Sequence, residues 1–304
     1  MKIIRTMGLR PYGHSPQALD HLKPSFIGTQ LGVEPETVKA RLLRMEEAGF
    51  IRFYQLYPNF RHLGLQAAAY LFRIPDEDRK SEAIRRIEPV DGLVEIHNFL
   101  GAEMCVDVSY RTPIELSKKL RLLSDFTGDA QPTPLYERHM PEVERPLSRL
   151  DWRILKSLRY HARRSLSEVA YEAHASVRTV RRRFDRMARE GSLFIVPAVD
   201  AAKAAGIVLY ELLFYTDPGT EHSTMNRILE AYADRYIYHY VPSSQTLGNF
   251  DMLLYAESTG EIEDMRLRGR EVPGVAKVAS LVFRGWTEYT DWIDAAIGER
   301  ARSL

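Results

Sequence analysis

Cysteine is nearly absent from this chain, no sign of charge dominates, and no apolar run is long. The single Cys105 excludes an internal disulfide and a cysteine-rich zinc site; standing in an apolar stretch, it reads as core. Nowhere do eighteen apolar residues follow one another, so no membrane-spanning helix is expected. The opening MKIIRTMGLRPYG has no apolar stretch long enough for a signal peptide, which points to a cytoplasmic protein without a membrane partner. Lys and Arg number 42 against 41 Asp and Glu, a formal net charge of +1, so any affinity for nucleic acid must come from how charge is distributed. No phosphate loop, nucleophile motif or metal-spaced His cluster occurs, and the nine histidines are scattered. The expectation is therefore no metal, no cofactor, no catalytic residue and no enzyme.

What is present is a repeat. Residues 37–49 read TVKARLLRMEEAG and residues 179–191 read TVRRRFDRMAREG. Six positions match without a gap: Thr37/Thr179, Val38/Val180, Arg41/Arg183, Arg44/Arg186, Met45/Met187 and Gly49/Gly191. Roughly one match is expected by chance at average residue usage. The same offset aligns Gly64 with Gly206, and a slightly larger one aligns Leu100-Gly101 with Leu247-Gly248. A period of this length is too long for a solenoid and implies a duplicated two-part module.

The second copy has the cleaner signals. In LDWRILKSLRY, Leu150, Ile154, Leu155 and Leu158 share a helical face. Ser165 followed by Glu168 is a capping box opening a second helix, Ala175 belongs to a short turn, and Ser176 caps a third helix ending at Gly191. The strand-like SLFIVPAVD comes next, completing the pattern of a winged helix-turn-helix. On the third helix, Val177, Val180, Phe184 and Met187 form a core-facing stripe. Arg178, Arg182 and Arg189 project near the opposite side, with Thr179 and Arg186 flanking one edge and Arg181 the other. Residues 176–190 hold six arginines against Asp185 and Glu190, a net +4. A face that only solvates a helix normally mixes signs. Arginine suits both phosphate contact and bidentate contact with guanine edges, so Arg178, Thr179, Arg181, Arg182 and Arg186 are the expected DNA-contacting residues. Arg183 points nearer the core, and a structural ion pair with a neighbouring helix is expected there.

The first copy, PSFIGTQLGVEPETVKARLLRMEEAG, is weaker. Gly32 is its turn residue where the second copy has His174. Residues 34–47 set Lys39, Arg41 and Arg44 against four glutamates, a net of −1. Pro35 and Glu36 occupy the turn that should meet base edges, so this copy is expected to be a degenerate or auxiliary reader acting through Lys39 and Arg44.

Each second half reads βαββαβ, a ferredoxin-like arrangement: QAAAYLFRI to a strand near 131–140 in the first copy, IVLYELLFYTD to AKVASLVFRGW in the second. Such a sheet has one face covered by helices and one bare, and the bare faces are expected to pack on each other, sheet on sheet. The fold class is α+β, two tandem modules, divided as 1–60, 61–145, 146–201, 202–286 and a final helix over 287–304 with Trp292, Ala295 and Ala296 on one face.

A winged helix-turn-helix followed by βαββαβ, with LDWRILKSL opening and T-L-G-N-F-D between strands two and three, resembles the Lrp/AsnC family of transcription regulators. The resemblance implies binding to double-stranded DNA, dimerisation through the ferredoxin-like domain and an amino-acid effector. The family's turn glycine and aspartate fall on Gly248 and Asp251, which the resemblance implies as the effector site; in the first copy the aspartate position is Met104, beside Glu103. Homo-oligomerisation stays open. Siroheme decarboxylases resemble the same fold, and their His-Asn pair is matched by His97-Asn98, with His239 in the corresponding strand of copy two. That tetrapyrrole enzyme is the alternative.

Overall fold

Two runs of the same element order make up the chain. The computed structural model describes residues 1–7, 22–217, 219–239 and 249–302. The first run is α1 (Lys2–Met7), α2 (Pro24–Leu31), α3 (Pro35–Glu47), β1 (Ile51–Pro58), β2 (Gln66–Arg73), α4 (Glu77–Ile87), β3 (Leu93–Phe99), β4 (Glu103–Tyr110), α5 (Pro113–Phe126) and β5 (Thr133–Glu137). The second is α6 (Arg149–Leu158), α7 (Leu166–Glu172), α8 (Val177–Arg189), β6 (Leu193–Val199), β7 (Val208–Thr216), α9 (Glu221–Ala231), β8 (Tyr236–His239), β9 (Asn249–Ala256), α10 (Thr259–Arg270) and β10 (Val275–Glu288). A last helix, α11 (Asp291–Arg302), follows. Among the described residues, no helix is long and apolar enough to cross a membrane.

Packing gathers like with like. One compact unit comprises 1–65, 140–203 and 290–304, the other 66–139 and 204–289. In the first unit the two helix-turn-helix segments are joined by an antiparallel ribbon, β1 with β6, in which Leu56 lies opposite Ile195. The wing expected after α8 is therefore not a hairpin of its own. Leu193 to Ala198 is buried throughout, so both faces of β6 need cover, and β1 supplies the pairing edge. The last helix packs against α6 through Ile293, Ile297 and Ala301, rather than through the expected Trp292–Ala295–Ala296 face. Those two isoleucines bury more apolar surface than two alanines could. Trp292 instead meets Phe60 edge-on, 5.2 Å between ring centres.

The second unit is one eight-stranded sheet, ordered β5-β2-β4-β3-β10-β7-β9-β8. Each half shows the strand order of a ferredoxin-like fold. Helices α4 and α5 close over Phe72, Ile87, Val106 and Leu123; α9 and α10 close over Phe214, Ile228, Tyr232 and Met252. The opposite face carries a shared cluster, with Ala69, Phe99, Cys105, Leu135 and Tyr136 of the first half against Leu213 and Leu281 of the second. The bare faces do meet, but packing is not the only joint. Edge strands β3 and β10 also pair, Trp286 opposite His97, because two exposed edges leave backbone groups that antiparallel pairing satisfies.

Candidate nucleic-acid interface

The α7–α8 corner forms as its residues dictate. Ser165 and Glu168 make the reciprocal capping box at the start of α7. His174 takes a left-handed φ of 53°, turning the chain so that the Ala175 amide reaches the Ala170 carbonyl at 2.9 Å. Ser176 Oγ then accepts from the Thr179 amide and caps α8. The first half uses Gly32, φ 64°, with the Val33 amide on the Gly28 carbonyl at 3.0 Å.

On α8, Val180, Phe184 and Met187 are buried as the stripe requires, whereas Val177 is 40% exposed. It sits in the first turn, beyond the reach of the core. Arg178, Arg181, Arg182 and Arg189 are exposed, and Thr179 is half-buried. Arg183 meets Asp151 Oδ1 at 3.0 Å, the ion pair with a neighbouring helix that its position implied. Arg186 is held too: it lies 2.9 Å from Asp151 Oδ2 and 3.8 Å from Glu190. Its charge is already matched, unlike the three exposed arginines of the first two turns.

Asp151, 1% exposed, ties these elements together and was not singled out from the sequence. It accepts from the Ser148 amide and hydroxyl at 2.9 and 2.6 Å, making a capping box for α6, and receives both arginines. Burial pushes its carboxyl up, but the Ser148 hydrogen bonds and the guanidinium groups of Arg183 and Arg186 outweigh it and hold the pKa below the usual value. The rule that located Ser165–Glu168 also applies to Ser148–Asp151, so the signal was there.

On α3, Lys39 and Arg44 are exposed, with Lys39 3.8 Å from Glu36 and Glu47 also exposed. Arg41, which aligns with Arg183, is exposed and shows no ion pair among the described residues. The α3 N-cap, Glu34, makes no side-chain capping bond.

The bare face of the sheet holds a second group of chemistry-bearing residues. His97, fully buried, lies 3.1 Å from Glu211 Oε1 through Nδ1 and 3.3 Å from Glu95 Oε1 through Nε2. Arg138 donates to Glu95, and to Asp107 at 2.6 Å; the Tyr136 hydroxyl reaches both carboxylates at 3.3 and 3.4 Å. Burial lowers the His97 pKa, but the charges of Glu211 and Glu95 overcome it and raise the value. Burial raises that of Asp107 against the pull of Arg138, and burial with the surrounding carboxylates drives the Cys105 thiol well up. Asp251 is buried on the same face. Gly248 lies outside the described residues. Strand register places Cys105, not Met104, as the counterpart of Asp251: Leu71 lies opposite Cys105 as Leu213 lies opposite Asp251. Met104 faces the helices, which is why the sequence offset misplaced it. Glu95, Asp107, Arg138 and Glu211 were missed as well; their signal is a charge recurring inside otherwise apolar strands.

A family model for the AsnC-type helix-turn-helix domain matches residues 147–188. The HTH-type transcriptional regulator Ptr1 of Methanocaldococcus jannaschii is 31% identical over 107 residues, 34% of this chain and 72% of Ptr1. The chain belongs to the Lrp/AsnC family. Among solved structures, the siroheme decarboxylase NirDL in co-complex with an iron-uroporphyrin III analogue superposes on 98% of the chain and 95% of its own, at TM-score 0.55 and 14% identity. A second NirDL structure gives 0.54 over 98% and 97% of the two chains, again at 14% identity. At that identity the likeness is one of fold. It nevertheless overturns the expectation that the chain is not an enzyme, because an enzyme shares the whole-chain architecture. Nor does a missing nucleophile or metal motif exclude catalysis by an Lrp/AsnC-like fold.

Proposed function

We propose that the chain is a sequence-specific transcription regulator that reads double-stranded DNA chiefly through α8. The observation that carries this reading is the charge division on that helix. Arg183 and Arg186 are matched by Asp151, while Arg178, Arg181 and Arg182 stay exposed with no ion pair among the described residues. Exposed arginines at the start of the third helix of a helix-turn-helix suit phosphate oxygens and guanine edges. Thr179 and Arg186 flank them, and Lys39 and Arg44 give an auxiliary contact. The reading keeps a duplicated module as the origin of the two runs and the five-segment division as its domain map. It assigns the ferredoxin-like pair to assembly and to sensing, with an amino acid as effector at Gly248 and Asp251. Selection of fragmented genomic DNA on the purified chain, followed by sequencing, tests it. A reproducible enriched motif with steep salt dependence is expected; binding without sequence preference at every salt concentration contradicts it.

A second reading is supported by the whole-chain likeness to NirDL together with the buried His97: a tetrapyrrole enzyme of siroheme-decarboxylase type. Anaerobic titration with siroheme separates the two. Saturable absorbance changes followed by loss of carboxyl groups favour the enzyme.

A further inference from the structure

A cleft of about 570 Å³ opens between α6 and α11, within the helix-turn-helix unit. Among the described residues, six cationic side chains line it, Arg149, Arg153, Lys156, Arg159, Arg164 and Arg302, beside a single carboxylate. That carboxylate, Glu172, is already engaged by Arg164 at 2.8 Å and by the Ser157 hydroxyl at 2.6 Å. Arg153 and Lys156 show no ion pair among the described residues. A solvated helix face would mix signs; this one does not.

The second observation is Arg159, which is 4% exposed. Nε donates to Asp294 Oδ1 at 2.7 Å and Nη1 to the Leu56 carbonyl at 2.8 Å. The guanidinium also lies 4.7 and 4.6 Å from the ring centres of Tyr57 and Tyr160. Nη2 is buried and meets no acceptor among the described residues. Leaving a buried charged donor unmatched is costly. The guanidinium lines the cleft with one nitrogen unengaged, which an entering oxygen can bond once the groups covering it move aside.

We propose that this cleft binds a small multiply charged oxyanion, one bearing two or more phosphate or carboxylate groups. The volume is in the range of small-molecule pockets, roughly 300–1,000 Å³. Guanidinium groups favour carboxylate or phosphate oxygens, and the excess of cations selects a ligand with more than one such group. Because the first turn of α6 carries the Asp151 that holds Arg183 and Arg186, occupancy would reach the recognition helix; that consequence rests on the DNA-binding reading, whereas the site itself does not.

Calorimetric titration of the full chain with pyrophosphate and with citrate, at low salt, tests the proposal. One site per chain is expected for at least one of the two probes. The double variant Arg153→Ala/Lys156→Ala should weaken that binding by at least about tenfold, with thermal unfolding unchanged. Arg159→Lys keeps the charge but loses the fork and should also bind more weakly; should it fail to fold, the double variant carries the test. Absence of saturable heat for both probes overturns the proposal, as does equal affinity in parent and double variant. A parallel arm titrates a DNA duplex. Loss of duplex affinity in the double variant, with no pyrophosphate or citrate site in the parent, would make the cleft a DNA-backbone contact and overturn the small-anion site.

Discussion

The two helix-turn-helix segments share a backbone and differ in what they show to solvent. Both turn through a left-handed residue, Gly32 or His174, and both close that turn with the same amide-to-carbonyl bond, at 3.0 and 2.9 Å. Both third helices bury matching residues, Val38 and Leu42 in α3, Val180 and Phe184 in α8. Outside, α8 exposes Arg178, Arg181 and Arg182, while α3 exposes Glu36 and Glu47 beside Lys39 and Arg44. Buried positions preserve the shape and exposed ones are free to diverge, so likeness of fold does not carry likeness of function. The sheet repeats the lesson. Ala69 faces Asp107 in the first half, and Glu211 faces Leu253 in the second, so the carboxylate has changed strands between equivalent positions.

Asp151 is where this comparison breaks most visibly. Asp151→Ala removes a capping box and the shared partner of two half-buried arginines, a loss of roughly 2–3 kcal/mol in the helix-turn-helix unit. Chemical denaturation measures it, and DNA affinity should fall with it because Arg183 and Arg186 no longer fix α8. An unchanged midpoint would mean that α8 is held by its apolar stripe alone.

Gly28 and Ala170 occupy matching positions, yet a Cβ on Gly28 would come within 2.5 Å of the Val33 carbonyl oxygen. Gly28→Ala should therefore destabilise the first segment by about 1–3 kcal/mol, and Ala170→Gly the second by about 0.5–1 kcal/mol. Equal costs in thermal unfolding would show the two turns to be interchangeable.

The smallest effect concerns His97. Its folded pKa is raised, so the stability it contributes is fully present below the unfolded value, near 6.5, and is lost as pH rises through the folded value. The groups around it are Glu95, Glu211, Asp107 and Arg138, and Asp107, whose pKa burial also raises, shifts stability in the same direction. His97→Gln should narrow its deficit against the parent as pH rises from roughly 6 to 9 in denaturant titrations. A deficit that is flat across that range would show that His97 does not change charge there.

Much of the fold was legible because it is written in periodicity and caps: the apolar stripe of α8, the Ser165–Glu168 box, and the alternation of the sheet strands. The partner of each strand was not. SLFIVPAVD announces a buried strand, but nothing local says that it pairs with 51–58, more than a hundred residues away. The same holds for β3 with β10. For the site, exposed arginines follow from helical spacing, whereas Arg186 and Asp151 required knowing which helices touch. His97 was noticed as a motif, but its carboxylate neighbours Glu95, Asp107 and Glu211 come from three strands, and only the sheet order brings them together.

The central claim is that α8, not α3, is the reading head. Fluorescence anisotropy on a selected operator at several salt concentrations tests it. Replacing Arg178, Arg181 and Arg182 with alanine should cut the log–log salt slope by about 0.9 per phosphate contact, or about 2.7 if all three meet phosphates. Replacing Lys39 and Arg44 should leave the slope close to that of the parent. A triple variant that binds like the parent, beside a Lys39/Arg44 variant that fails, would contradict the account.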